Sequence, residues 1–236
     1  LIFFLKHNRH IGHIDLVRFL CVLCAYCVSK NFVIFANTIP KKLKTSRNME
    51  VLERKMTYAD LMELEIPEGD TGLYELLNGE IVRRSSPNTP HQRTLLKLVR
   101  YLDRFNEEKN LGQLFFAPYD VYLDEYNAGI QPDLLFVSHE RDFVIKENNG
   151  VVGAPDLVVE ILSKGTTNRD RGIKKDIYEQ FAVREYWIVD TQNRSIEVYR
   201  MENNRYRLFS FAEEEGQVKT SVLEGLELEV GAIFEI

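Results

Sequence analysis

The sequence predicts an α/β fold, a mixed β-sheet flanked by helices, and three observations carry that expectation. Leu134-Leu135-Phe136-Val137 and Leu157-Val158-Val159-Glu160-Ile161-Leu162 are short, Val/Ile/Leu-rich runs of the kind that form buried strands. Leu95, Leu98, Val99, Leu102 and Phe105 recur at helical spacing in one unbroken stretch. Asn78-Gly79 lies between two apolar runs, the strongest short signal for a β-hairpin. Taken in chain order, the elements read helix, hairpin, helix, strands, helix, strands, which makes a mixed sheet covered by helices.

The elements follow from local chemistry. Residues 56–64 form a short helix with Thr57 as N-cap and Asp60 three residues later, where a capping box places an acid. Tyr74 to Val82 is the hairpin. Pro87-Asn88-Thr89-Pro90 breaks the chain and starts the long helix, with His91 near its N-terminus and Gly112 beyond its far end. Leu114 to Leu123 reads as one strand, kinked or edge-like at Pro118. The strand after Asp133 comes next, then a polar loop or short helix over 139–153, the Glu160 strand, and a helix from about 170 to 182. Glu185 to Asp190 is a further strand. Residues 195–200 and 206–209 make a meander, and short strands with turns at Gly225 and Gly231 close the chain.

The chain has 236 residues, enough for one globular domain with a substantial core, and its 44% hydrophobic and 28% charged content is ordinary for a soluble protein. The net charge of −6 is unevenly spread. Residues 1–48 hold eight Lys/Arg against one Asp, a net +7, which leaves −13 on the remainder. A domain so acidic is not a general phosphate binder; it binds nucleic acid through a local patch or through metal ions that offset its carboxylates. Cys21, Cys24 and Cys27 are the three cysteines, so no disulfide framework supports the rest of the chain, which fits a reducing, cytoplasmic compartment. Their spacing, with His7, His10 and His13 nearby, invites a metal reading, but they sit in an apolar run without the turn residues of a zinc site.

Residues 1–48 read as an N-terminal extension outside the fold, poorly ordered or loosely helical, ahead of a domain over 49–236. The apolar span 11–36 is interrupted by Asp15, Arg18 and Lys30, and its uncharged runs are short for a bilayer crossing. A membrane anchor there is the minority alternative.

Two carboxylates stand out. Asp133 precedes one apolar strand and Glu160 sits inside another. A glutamate is almost never fully buried unless paired, so Glu160 needs a partner, either a divalent metal or a structural salt bridge. Asp133 and Glu160 can hold one Mg²⁺ between adjacent strands, leaving coordination positions for waters and a phosphate oxygen. Lys174, on the helix that follows the Glu160 strand, is the natural group to orient a metal-bound water or stabilise developing negative charge.

Several segments in order, Tyr74-Glu75-Leu76-Leu77-Asn78-Gly79-Glu80, Pro90-His91-Gln92, Gln131-Pro132-Asp133, Ala154 to Ser163, Arg169-Asp170 with Lys174 and Tyr178, and Glu185 to Asp190, resemble the Uma family of putative restriction endonucleases. The resemblance covers about residues 56–232 and implies the restriction endonuclease-like fold of the PD-(D/E)xK nucleases. It further implies a metal-dependent phosphodiesterase acting on DNA, with Mg²⁺ or Mn²⁺ as cofactor. Asp133 matches the Pro-Asp acid, Glu160 the second acid, Glu80 an early acid assisting the metal, and His91 the histidine opening the long helix, placed to contact phosphate or metal.

The pattern departs from the wider nuclease superfamily at Leu162, where that motif has lysine. Lys174 matches the displaced lysine, and Lys164 is its rival. Asp156, four residues before Glu160 on the same strand face, is the rival of Asp133. The competing function is a non-catalytic DNA-binding or interaction module on the same fold, which the acidic charge and the missing strand lysine favour. A homodimer is expected if both strands of a duplex are cut.

Overall fold

A computed structural model describes residues 55–66, 68–70, 72–124, 128–163 and 165–235. The extension over 1–48, with its cysteine run and candidate anchor, lies outside the described residues, as does Lys164. No helix among the described residues is long and apolar enough to cross a membrane.

Helix α1 (Tyr58–Met62) is capped as its sequence predicts. Asp60 N–H donates to Thr57 Oγ1 at 3.2 Å, and Thr57 N–H donates to the Asp60 carboxylate at 2.6 Å. Strands β1 (Tyr74–Leu77) and β2 (Glu80–Arg83) form the hairpin, with φ of 52° at Asn78 and 84° at Gly79, the left-handed pair that a type I′ turn requires. Helix α2 (Thr89–Lys109) starts at Asn88, whose side chain accepts the His91 N–H at 3.0 Å, and stops at Asn110 in the left-handed region. Leu95, Leu98 and Leu102 form its buried face.

The main sheet has the order β12-β11-β10-β9-β6-β3. Its strands are β3 (Gly112–Phe116), β6 (Leu134–Ser138), β9 (Leu157–Leu162), β10 (Glu185–Asp190), β11 (Ser195–Glu202) and β12 (Arg205–Glu213). β9 and β10 run parallel, and the other neighbours are antiparallel. A parallel pair needs a crossover, and helix α3 supplies it. It comprises an α-helical turn Thr167–Arg169, a π-helical turn Asp170–Lys174 and an α-helical part Lys175–Gln180.

A second sheet joins the hairpin to β5 (Ala128–Ile130), β4 (Val121–Asp124), β8 (Gly150–Val152) and β7 (Ile145–Lys146), in the order β2-β1-β5-β4-β8-β7. A small ribbon, β13 (Gln217–Lys219) with β14 (Glu227–Glu229), and helix α4 (Val230–Phe234) complete the described chain. A mixed α/β architecture with helices against the sheets is therefore what the chain adopts.

Three expectations change. Residues 114–123 form two strands in different sheets, because Pro118 cannot continue a hydrogen-bonded ladder. Residues 139–153 hold the short helix, a 3₁₀ turn at His139–Val144, and add a β7–β8 hairpin that was not expected. Gly231 lies inside α4, so it is not a turn.

The central strands β6, β9 and β10 are buried on both faces, as their continuous apolar runs require. Leu157, Val159 and Ile161 of β9 face a core shared with Leu98, Leu102 and Trp187. Val158 and Leu162 face a second core with Ile177, Tyr178 and Tyr186. Glu160 shares the parity of Val158 and Leu162, so it enters the second core beneath α3. Leu98 is fully buried, and Leu98→Ala is expected to lower the unfolding free energy by about 2–5 kcal/mol, read as an earlier urea midpoint with an unchanged slope.

Candidate active site

Register brings the two strand acids together. Leu134 pairs with Val159 and Leu135 with Val158, so the next step of the antiparallel ladder sets Asp133 opposite Glu160. Ile161 N–H donates to Asp133 Oδ2 at 2.8 Å, fixing the aspartate against the neighbouring strand. His91 Nε2 lies 3.1 Å from the same oxygen and Arg84 Nη2 3.1 Å from Oδ1. Burial works against the charged form of Asp133, yet the bonds from His91, Arg84 and the Ile161 amide hold its pKa below the ordinary value.

Lys174 stands at the end of the π-helical turn and is 2% exposed. π-turns recur at functional sites. Its Nζ lies 3.0 Å from Glu160 Oε1, 3.0 Å from Glu75 Oε1 and 3.8 Å from Asp170 Oδ1. Tyr178, one turn further on, donates its hydroxyl to Glu160 Oε1 at 2.8 Å. Glu75 Oε1 also accepts the Gln131 N–H at 3.0 Å, which ties the hairpin to the segment carrying Asp133. Asp133, Glu160, Glu75, Asp170, Lys174, Arg84 and His91 all border one cavity of about 240 Å³.

The electrostatics of this cluster are unbalanced. Among the described residues, four buried carboxylates, Glu75, Asp133, Glu160 and Asp170, are ion-paired with two fixed cations, Arg84 and Lys174, leaving two negative charges unpaired if all ionise. Burial opposes the charge on Lys174, but Glu160, Glu75 and Asp170 together hold its pKa above the ordinary value. Burial likewise pushes Glu160 up to about 8, with Asp170, Asp133 and Glu75 adding repulsion that Lys174 only partly offsets. Asp170 is raised for the same first reason. One ammonium serves three carboxylates, so the cluster keeps its ammonium and retains a carboxyl proton.

Of the residues expected from sequence, Asp133, Glu160, Lys174 and His91 are brought together. Glu80 is not: it is exposed at the turn and does not border the cavity. Glu75 takes the place expected for it. The hairpin register explains the exchange. Leu77 pairs with Glu80 and Glu75 with Val82, so both acids share a face, but Glu80 sits at the open end of the hairpin and Glu75 two residues deeper. Asp156 is fully buried at the far end of β9, where it accepts bonds from Ser138, Arg184 and Arg141. That network holds Asp156 away from the cavity that Asp133 borders. Arg84 went unnoticed in the sequence, although residues 80, 82 and 84 alternate in register, and Asp170 was read with Lys174 and Tyr178, at intervals of four, without a role of its own.

The donor set suits a hard divalent cation. Glu75 Oε2 and Asp170 Oδ1 are buried acceptors without a hydrogen-bond donor among the described residues. Carboxylate oxygens and an excess of two negative charges match Mg²⁺ or Mn²⁺. No group of three or more His, Cys, Asp or Glu side chains among the described residues is arranged as a ready-made metal cage. Mg²⁺ does not require one, since it binds through one or two carboxylates and keeps several waters.

The sequence matches the Uma2 family model, described as "Putative restriction endonuclease", over residues 58–231, and the chain belongs to that family. Its fold is similar to the crystal structure of a putative nuclease belonging to DUF820 from Anabaena variabilis, with a TM-score of 0.61 and 18% identity, over 76% of this chain and 97% of that one. No curated protein matches.

Two outcomes follow from the cluster. Lys174→Met leaves buried carboxylates without their cation and is expected to cost about 3–5 kcal/mol of stability near neutral pH, measured by urea unfolding. The folded chain holds a proton on Glu160 that the unfolded chain has released between the ordinary value of 4.5 and about 8. Stability should therefore fall as pH rises through that window, and Glu160→Gln should flatten the fall.

Proposed function

We propose that the protein is a metal-dependent nuclease that hydrolyses phosphodiester bonds in DNA. The observation that carries this reading is the buried set Asp133, Glu160, Glu75 and Lys174 around a single cavity, in a chain of the restriction endonuclease-like Uma2 family. Asp133 and Glu160 would hold Mg²⁺ or Mn²⁺, with Glu75 assisting. Such an ion, when bound, polarises a phosphoryl oxygen and lowers the pKa of a coordinated water.

The chain's own groups do the rest. His91 and the Ile161 amide fix the Asp133 carboxylate, so its second oxygen is oriented before substrate arrives. Tyr178 and Lys174 do the same for Glu160. With a cation held there, Glu160 would serve as a carboxylate and Lys174 would be free to turn its N–H donors toward the attacking water or the developing negative charge. Cutting both strands of a duplex takes two such sites, so the working form under this reading is a homodimer.

A second reading, a nuclease-fold module that binds without cutting, is favoured by one observation. Lys174 is closed into an internal ion-pair cluster, and Leu162 stands where the wider nuclease pattern carries lysine.

Nicking of supercoiled plasmid separates them. The full chain should cut with Mg²⁺ or Mn²⁺ and not with EDTA, and Glu160→Ala and Lys174→Ala should each lower the rate by about 10²-fold or more. Well-folded protein that leaves plasmid and single-stranded DNA intact under every metal condition supports the binding module. Calorimetric titration with Mn²⁺ should show tighter binding and less proton release as pH rises through about 8, because the Glu160 carboxyl then increasingly starts ionised.

A further inference from the structure

We propose that Arg84 and Arg169 form the phosphate grip of this site, holding the oxyanion of a nucleic-acid phosphodiester in the cavity while the carboxylates serve the cation. This inference rests on the nuclease or nucleic-acid-binding reading of the same site and names residues for which that reading gives no role.

A phosphate entering an acidic cavity needs donors that are not already committed. Lys174 donates to Glu75 and Glu160 at 3.0 Å and faces Asp170 at 3.8 Å, so its charge is shared among three acids before a cation arrives. Arg84 differs. Its Nη2 donates to Asp133 at 3.1 Å and its Nε lies 3.9 Å from Glu75, but its Nη1 is buried with no hydrogen-bond partner among the described residues. An orphaned donor on a charged group is costly, and an incoming oxyanion removes that cost. Burial disfavours the guanidinium charge, and Glu75 and Asp133 restore it, so Arg84 is a cation held in place by the acids it flanks.

Arg169 ends the first turn of α3, five residues before Lys174, and borders the same cavity. It is half-buried and pairs with no carboxylate among the described residues. In a part of the chain whose net charge is −13, a guanidinium that borders an acidic cavity without an internal partner is placed for an external anion. Ser85 and Ser163 border the cavity beside these two arginines and offer hydroxyl donors of the right kind. Arg169 carries a forked N–H pair that fits two oxygens of one phosphate, and Arg84 adds the donors of its unpartnered Nη1.

The test is binding of a fluorescein-labelled duplex oligonucleotide to the full chain, followed by anisotropy in Ca²⁺ across a series of NaCl concentrations. Arg84→Gln and Arg169→Gln should each lower the slope of log K against log [NaCl] by about 0.9, and the double variant by about twice that. Arg100→Gln, on the exposed face of α2, should leave the slope unchanged. Urea unfolding of each variant guards against a folding defect. Arg169→Gln carries the test independently, because it breaks no ion pair. An unchanged slope in folded Arg169→Gln, or no binding of DNA by the unmodified chain, overturns the grip. Unchanged slopes alongside Glu160-dependent plasmid nicking overturn the grip and leave the nuclease reading standing. Reduced slopes without nicking support the grip and overturn the nuclease reading.

Discussion

The site depends on one ammonium shared by three carboxylates. Lys174 is buried among Glu75, Glu160 and Asp170, which arrive from a hairpin, a central strand and the crossover helix. A lone buried charge of either sign would be prohibitively costly, so each of these elements is committed to the others. The π-helical turn delivers Lys174 to this point, and the parallel β9–β10 pair obliges α3 to cross the sheet there.

The same interaction leaves the cluster short of positive charge. Arg84 compensates on one side, and Glu160 retains a proton well above the usual carboxylate range. A stable protein could have removed this imbalance by replacing an acid with a hydrophobic residue, as buried ion pairs can often be replaced without loss. Such an imbalance around a cavity of about 240 Å³ marks a candidate functional site, in contrast to a closed structural salt bridge. The Asp156 network shows the contrast: there two arginines and Ser138 answer one carboxylate.

Much of the fold was legible because local chemistry and tertiary packing agree. Asn78-Gly79, the Thr57–Asp60 capping box, the helix start at the Pro87–Pro90 break and the β9 and β10 runs all appear where their residues place them. The break at Pro118 was visible as a proline, but its consequence, strands in two different sheets, depends on partners far away in sequence. β5 is three residues long and carries no periodicity of its own.

The sequence by itself determined which strands carry the acids and that Lys174 follows on the next helix, because apolar runs and their periodicity are local properties. It pointed to Glu80, where the structure sets Glu75 at the cavity, and it carried Asp156 as a rival to Asp133. Those choices turn on which end of a hairpin or strand faces the cavity, and that is set by register between segments distant in the chain. Arg84 became a site residue only in three dimensions. An arginine after a surface hairpin is ordinary in sequence, and its burial between Glu75 and Asp133 arises from the packing of two sheets and one helix terminus.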